Sequence, residues 1–103
     1  MEINFEYVDV AASMRLESLA GKKVDALANK YDFIVATDIY FKKENTSSDT
    51  TGFHCVIRMN VPGTSLVAKA NKDSFEHAIK TAVNDIERQL KKKKEKMQHP
   101  LQK

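Results

Sequence analysis

Six basic side chains lie within nine residues near the end of the chain, and the chemistry open to them is the binding of anions. Residues 88–96 hold six Lys or Arg residues and one acid, Glu95. The whole chain has 17 basic and 14 acidic residues. Outside residues 88–96 there are therefore 11 basic and 13 acidic residues, so the rest of the chain is slightly acidic. Charge concentrated in this way favours binding to nucleic acid or another anionic surface.

The residue types that most often carry catalysis or bind metals form no recognisable pattern. His54, His77 and His99 are not at spacings typical of metal ligands, and three glycines are too few for a phosphate-binding loop. Cys55 follows His54 directly, so in a strand the two side chains point to opposite faces, and Cys55 is best interpreted as a small buried hydrophobic residue. We therefore predict no catalytic residue, no metal site and no cofactor, and hence no enzyme.

The size and composition indicate one globular domain. The chain has 103 residues, 42% of them hydrophobic and 30% charged, which is usual for a soluble protein. A single cysteine excludes an intramolecular disulfide and suits a reducing compartment. Met1-Glu2 lacks the basic start of a secretory signal, and no apolar run reaches membrane-spanning length. The sequence predicts a cytoplasmic protein.

The basic residues belong to a predicted helix over residues 73–96. Asp73 with Glu76 three residues later matches a capping box. Apolar residues then recur at helical spacing and predict one buried face: Phe75, Ile79, Ala82, Val83, Ile86 and Leu90. After Leu90 the apolar stripe stops and lysines point in every direction. We expect the first half of this helix to pack on the core and the second half to project from it.

The spacing of apolar residues before this helix predicts a strand, a helix and then three more strands. Residues 3–7 alternate as a strand, Ser13 caps a helix over residues 14–30, and residues 34–42, 53–61 and 64–70 are predicted strands. Residues 43–51 are a polar loop, and Pro62-Gly63 is a tight turn.

The order β-α-β-β-β-α predicts an α+β fold, a four-stranded mixed sheet with both helices on one face, as in double-stranded RNA-binding domains. The other face would display Asn4, Glu6, His54, Arg58 and Lys69. Residues 1–97 are expected to form the single domain and residues 98–103 a flexible tail.

A rod of positive charge on such a domain is typical of binding to the backbone of structured RNA. Lys22 and Lys23 of the first helix extend this surface if the two helices pack side by side. Nothing in the pattern indicates reading of individual bases. A lysine-rich end that only increases solubility explains the same charges, so both interpretations stay open at this point.

Two segments carry a family resemblance. Residues 68–75 (AKANKDSF), Ala78-Ile79 and residues 85–92 (DIERQLKK) resemble the short form of the bacterial hibernation-promoting factor, also called the ribosome-associated inhibitor or sigma-54 modulation protein family. The resemblance covers about residues 1–97 and is looser before the second strand. It implies the same β-α-β-β-β-α fold.

The resemblance also implies a function and a partner. Such proteins bind the small ribosomal subunit in the channel for mRNA and the A- and P-site tRNAs. They contact rRNA through both helices and keep idle ribosomes silent in stationary phase or stress. The best-matched contacts are Lys23, Arg88, Lys92 and Lys94, and the secondary ones are Lys22, Lys91 and Lys96. A second hibernation factor is an open candidate partner; a membrane or a small-molecule substrate is not expected.

The sequence departs from the family pattern at several positions. Phe75 stands where the family often has a tyrosine, and Ala26 stands where it often has a basic residue. Lys80 stands where an acidic residue is common, and Asp85 stands where a lysine is common. The C-terminal dimerisation domain of long members is not expected in this chain. The alternatives are a general structured-RNA-binding module and an interaction protein that modulates transcription.

Overall fold

The computed structural model describes the backbone of residues 1–98 and the side chains of residues 1–97. Its elements are β1 (Glu2–Val8), α1 (Met14–Lys30), β2 (Ala36–Lys43), β3 (Phe53–Val61), β4 (Thr64–Lys72) and α2 (Phe75–Gln98). This order confirms the predicted α+β fold.

The strands form one sheet in the order β1-β2-β3-β4. β1 pairs with β2 in parallel, because α1 connects them as a crossover, whereas β2–β3 and β3–β4 are antiparallel. The predicted mixed sheet is therefore confirmed.

The core lies between one face of the sheet and the two helices. Ile39, Phe41, Cys55 and Ile57 face the helices and are completely buried. Both helices contribute apolar residues to the same cluster: Leu16, Ala20, Val24 and Leu27 from α1, and Ala78, Ile79, Ala82, Val83, Ile86 and Leu90 from α2. Because neighbouring residues of a strand alternate between faces, the other face carries all five predicted residues, including His54, whose ring nitrogen lies 2.9 Å from Glu44.

The helix starts follow from their capping side chains. The Ser13 hydroxyl accepts a hydrogen bond from the Leu16 N–H at 3.2 Å, as predicted for α1. The prediction of Asp73 as the cap of α2 was wrong, since the Ser74 hydroxyl accepts the His77 N–H at 3.1 Å. Asp73 instead contacts the ring of His77 at 3.0 Å. Serine and aspartate cap equally well, so the sequence did not separate these adjacent residues.

Three other boundaries differ from the prediction by about two residues. β2 begins at Ala36, because residues 31–35 connect α1 to it through a turn at residues 32–33, closed by a hydrogen bond from the Ile34 N–H to the Tyr31 carbonyl. β4 continues to Lys72 because Asn71 and Lys72 still pair with β3. α2 continues to Gln98, the first residue of the predicted tail; residues 99–103 lie outside the described residues.

The two helices run side by side in the same direction. Arg15 at the start of α1 pairs with Glu76 at the start of α2. Lys30 at the end of α1 pairs with Glu87, half-way along α2, at 2.9 Å. This arrangement brings the end of α1 to the point where the basic segment of α2 begins.

Candidate nucleic-acid interface

The basic half of α2 stays in contact with the fold beyond Leu90, its last fully buried residue. Lys93 is half-buried, and its ammonium group lies beside the Gly63 turn that joins β3 to β4. Lys94 reaches the other way, and its ammonium group lies 5.8 Å from the centre of the Tyr31 ring. The second half of α2 therefore adds no buried residue to the core, as expected, but Lys93 and Lys94 still contact the fold, because long lysine stems cover apolar surface while their charged ends stay in water.

A groove runs between the end of α1 and the basic half of α2. It has a volume of about 420 Å³, and Tyr31, which is 3% exposed, forms part of its wall. Four basic residues border the groove: Lys30, Arg88, Lys91 and Lys94. The Lys30 ammonium group lies 5.6 Å from the centre of the Tyr31 ring. Lys30 of α1 and Lys94 of α2 therefore both lie near the same aromatic ring, at a distance typical of cation–π contacts.

Acidic side chains hold two of these cations in place. The Glu87 carboxylate accepts a hydrogen bond from Lys30 and, with its negative charge, raises the pKa of the Lys30 ammonium group above its ordinary value. The Asp85 carboxylate accepts a hydrogen bond of 3.3 Å from Arg88. Among the described residues, Glu87 and Glu95 are the only acids on the border of the groove, which therefore has an excess of positive charge and suits a polyanion.

The opposite flank of α2 carries a second basic surface. Lys92, Lys93 and Lys96 border a depression of about 280 Å³ against Thr64 and Leu66. On the same flank, the Gln89 side chain donates a hydrogen bond of 2.9 Å to the Val67 carbonyl. Gln89 thereby satisfies a carbonyl at the outer edge of β4 and fixes α2 above this strand.

The predicted site residues fall into three places. Arg88, Lys91 and Lys94 border the groove between the helices, and Lys92 and Lys96 lie on the flank toward β4. Lys22 and Lys23 lie about two turns before Lys30 on α1 and border neither surface; Lys22 is exposed and Lys23 is half-buried. Sequence reasoning did not include Lys30 or Lys93, which the structure brings to the groove and to the turn.

The described residues contain no cluster of metal ligands, and their one cysteine is unreactive. In residues 1–97, no three His, Cys, Asp or Glu side chains lie close enough together to bind a metal ion. Burial raises the pKa of the Cys55 thiol to about 12, so this cysteine is not a nucleophile at neutral pH. Neither α1 nor the described part of α2 is long and apolar enough to cross a membrane.

Comparisons with known proteins agree with this description. Residues 3–98 match the model of the family described as sigma 54 modulation protein / S30EA ribosomal protein, a description of binding and regulatory proteins rather than of enzymes. A comparison with curated protein sequences gives no significant match.

Two solved structures have the same fold. A ribosomal subunit interface protein from Coxiella burnetii has 23% identity and a TM-score of 0.78, with 91% of this chain and 98% of that chain covered. The N-terminal domain of Protein Y from Thermus thermophilus has 17% identity and a TM-score of 0.74, with 89% and 98% covered.

Proposed function

This chain belongs to the sigma 54 modulation protein / S30EA ribosomal protein family, and from this premise we propose that it is a ribosome-binding inhibitor of translation. In this proposal it occupies the mRNA and tRNA channel of the small subunit and keeps idle ribosomes inactive under stress or in stationary phase. The name of one similar structure, a ribosomal subunit interface protein, and the description of the family as ribosomal support a site on the ribosome. Such a protein acts in the cytoplasm, in association with ribosomes.

The observation that carries the proposal is the basic groove between the two helices. Lys30 comes from α1 and Lys94 from α2, and both ammonium groups lie within 6 Å of the same ring. A groove bordered by cations on both sides can follow an RNA backbone, whereas cations scattered on one helix contact only isolated phosphates. A solubility-only role for the lysines does not require this convergence of two helices on Tyr31.

The mechanism is exclusion of ligands rather than chemistry. In our proposal the folded chain, which measures 51 × 25 × 18 Å, excludes RNA ligands from the channel by its volume. In our proposal, the groove and the flank toward β4 hold rRNA phosphates on two sides of α2. Lys22 and Lys23 add contacts farther along α1. Because the contacts are ionic, binding is reversible and weakens as salt increases.

Sedimentation of the purified chain with purified ribosomal particles tests this function. We expect co-migration with small subunits and with whole ribosomes in a sucrose gradient at low salt, and release at high salt. Co-migration with large subunits alone would overturn the proposed channel site. A chain that stays at the top of the gradient at low salt but still binds structured RNA would instead be a general RNA-binding module. Failure to bind any RNA would favour the role in modulating transcription.

Charge reversal separates binding from folding. The double variant Arg88→Glu, Lys92→Glu changes two exposed side chains and is expected to lose ribosome binding with little change in the melting temperature. The matched control is Arg58→Glu, Lys69→Glu, which makes the same charge change on the open face of the sheet. Equal loss of binding in both variants would mean that net charge, and not the surface on α2, determines binding.

A further inference from the structure

The two central rows of side chains on the open face of the sheet carry a pattern of charges that is complementary to itself. The strand register places four side chains in each row across this face. One central row is Glu6, Tyr40, Val56 and Lys69, and the next is Asn4, Asp38, Arg58 and Val67. Both rows therefore place their carboxylate on the β1–β2 half and their cation on the β3–β4 half.

These charged side chains are not used within the fold. Glu6, Arg58 and Lys69 are exposed, and within residues 1–97 none of the three forms an ion pair. Asp38 accepts only a hydrogen bond of 3.1 Å from Asn4 among these residues. Between the two charged halves, half-buried Tyr40 and Val56 line a shallow depression of about 340 Å³.

We propose that two copies of this chain associate through their open sheet faces, related by a two-fold axis parallel to the strands. This axis places β1 of one copy over β4 of the other. Glu6 of each copy then faces Lys69 of the other copy, so the same pair forms twice. In the next row Asp38 faces Arg58, and at the centre Tyr40 packs on Val56. Every charged residue of the two central rows then meets an opposite charge, with an apolar contact between them.

The row pattern also selects the direction of the axis. A two-fold axis across the strands would place β1 over β1 and β2 over β2. Glu6 would then lie near the same acidic strands of the other copy, and Lys69 near its basic strand. Like charges in these positions oppose association, so the axis parallel to the strands is favoured.

The size of the face sets the expected strength. Four strands at about 4.8 Å spacing and seven residues at about 3.3 Å give a face of roughly 19 × 23 Å. Two such faces bury about 870 Å² in total, which is just below the roughly 1,000 Å² expected of a specific interface. The dimer should therefore be weak and dependent on concentration. It leaves α1 and α2 of both copies exposed on opposite sides, so the inference goes beyond the proposed function and does not depend on it.

Analytical ultracentrifugation of the full chain tests the association. We expect the apparent mass to increase from monomer to dimer between about 10 µM and about 1 mM at low salt, and less at high salt. A chain that remains monomeric throughout this range at low salt would overturn the proposal.

Charge exchange tests the geometry. Glu6→Lys and Lys69→Glu should each weaken the dimer by about tenfold or more, because each converts two symmetric attractions into repulsions. The double variant Glu6→Lys, Lys69→Glu should restore dimerisation, and an equimolar mixture of the two single variants should form a mixed dimer. These two results require residue 6 of one copy to face residue 69 of the other.

The control is Asp25→Lys, which changes the net charge as Glu6→Lys does but lies exposed on α1. It should leave the dimer unchanged. If it weakens association as much as Glu6→Lys, or if the exchanged double variant remains monomeric while its circular dichroism is native, the proposed face is wrong. Ribosome binding is measured separately on the same variants and should be retained in all of them, so the two proposals fail independently.

Discussion

The Lys30 ammonium group and the Glu87 carboxylate lie 2.9 Å apart and join the end of α1 to the middle of α2. Both residues also border the basic groove. Glu87 therefore fixes Lys30 at the groove and at the same time neutralises one of its charges. An RNA phosphate that binds to Lys30 competes with this carboxylate.

Replacing Glu87 by Gln should strengthen the binding of small subunits severalfold. The variant removes the competing negative charge but keeps a side chain of the same shape, so Lys30 becomes available to phosphate. Dissociation constants from filter binding at two salt concentrations measure the effect. The control Asp25→Asn removes an equal charge from the outer side of α1 and should change affinity less. Weaker binding by Glu87→Gln would mean that the ion pair is needed to position Lys30.

The two flanks of α2 should contribute unequally to binding. Lys91→Ala with Lys94→Ala removes cations from the groove, and Lys92→Ala with Lys96→Ala removes two from the flank toward β4. We expect the larger decrease in affinity for the groove pair, because the groove also contains cations from α1. For every phosphate that a variant no longer neutralises, the slope of log K against log salt should decrease by about 0.7–0.9. Equal slopes and affinities for the two variants would contradict a dominant role of the groove.

The fold was predictable because local signals and periodicity agreed. Ser13 before an amphipathic stretch gave the bounds of α1, and strict alternation in residues 53–61 gave the bounds of β3. The start of α2 was misplaced because Asp73 and Ser74 are both good caps; in the structure Ser74 caps the helix and Phe75 is its first residue. Phe75 stacks edge-on against Phe53, and this contact depends on the sheet.

The groove was less predictable than the fold. The lysines of α2 were visible as a cluster in the sequence, but Lys30 looked like an ordinary helix-end cation. Its role depends on Glu87, which is 57 positions away, and on the parallel packing of the helices. Both residues can be read from the sequence, but the relative position of the two helices that brings them together cannot. The same limit applies to the open sheet face, where only the pairing of four strands reveals the two rows of charges.

Leu90→Ala should lower the free energy of unfolding by about 2–5 kcal/mol, because Leu90 is completely buried and the change leaves a cavity under the basic half of α2. Urea unfolding followed by circular dichroism measures this decrease. The neighbouring exposed Lys91→Ala should change stability by less than about 0.5 kcal/mol. Similar stabilities for the two variants would show that the distal half of α2 is not anchored through Leu90.

The Cys55 thiol should make the protein less stable at alkaline pH. Burial raises its pKa to about 12 in the folded chain, whereas a thiol in the unfolded chain loses its proton near pH 9. Below pH 9 both states hold the proton and stability is unaffected; above it the unfolded state alone ionises, so stability falls with increasing pH. By pH 10 the decrease should be about 1.4 kcal/mol. Urea unfolding of the wild type and of Cys55→Ala at pH 7, 9 and 10 isolates this effect, since all other ionisable groups are shared. Parallel stability curves for the two proteins would mean that the thiol ionises equally in both states.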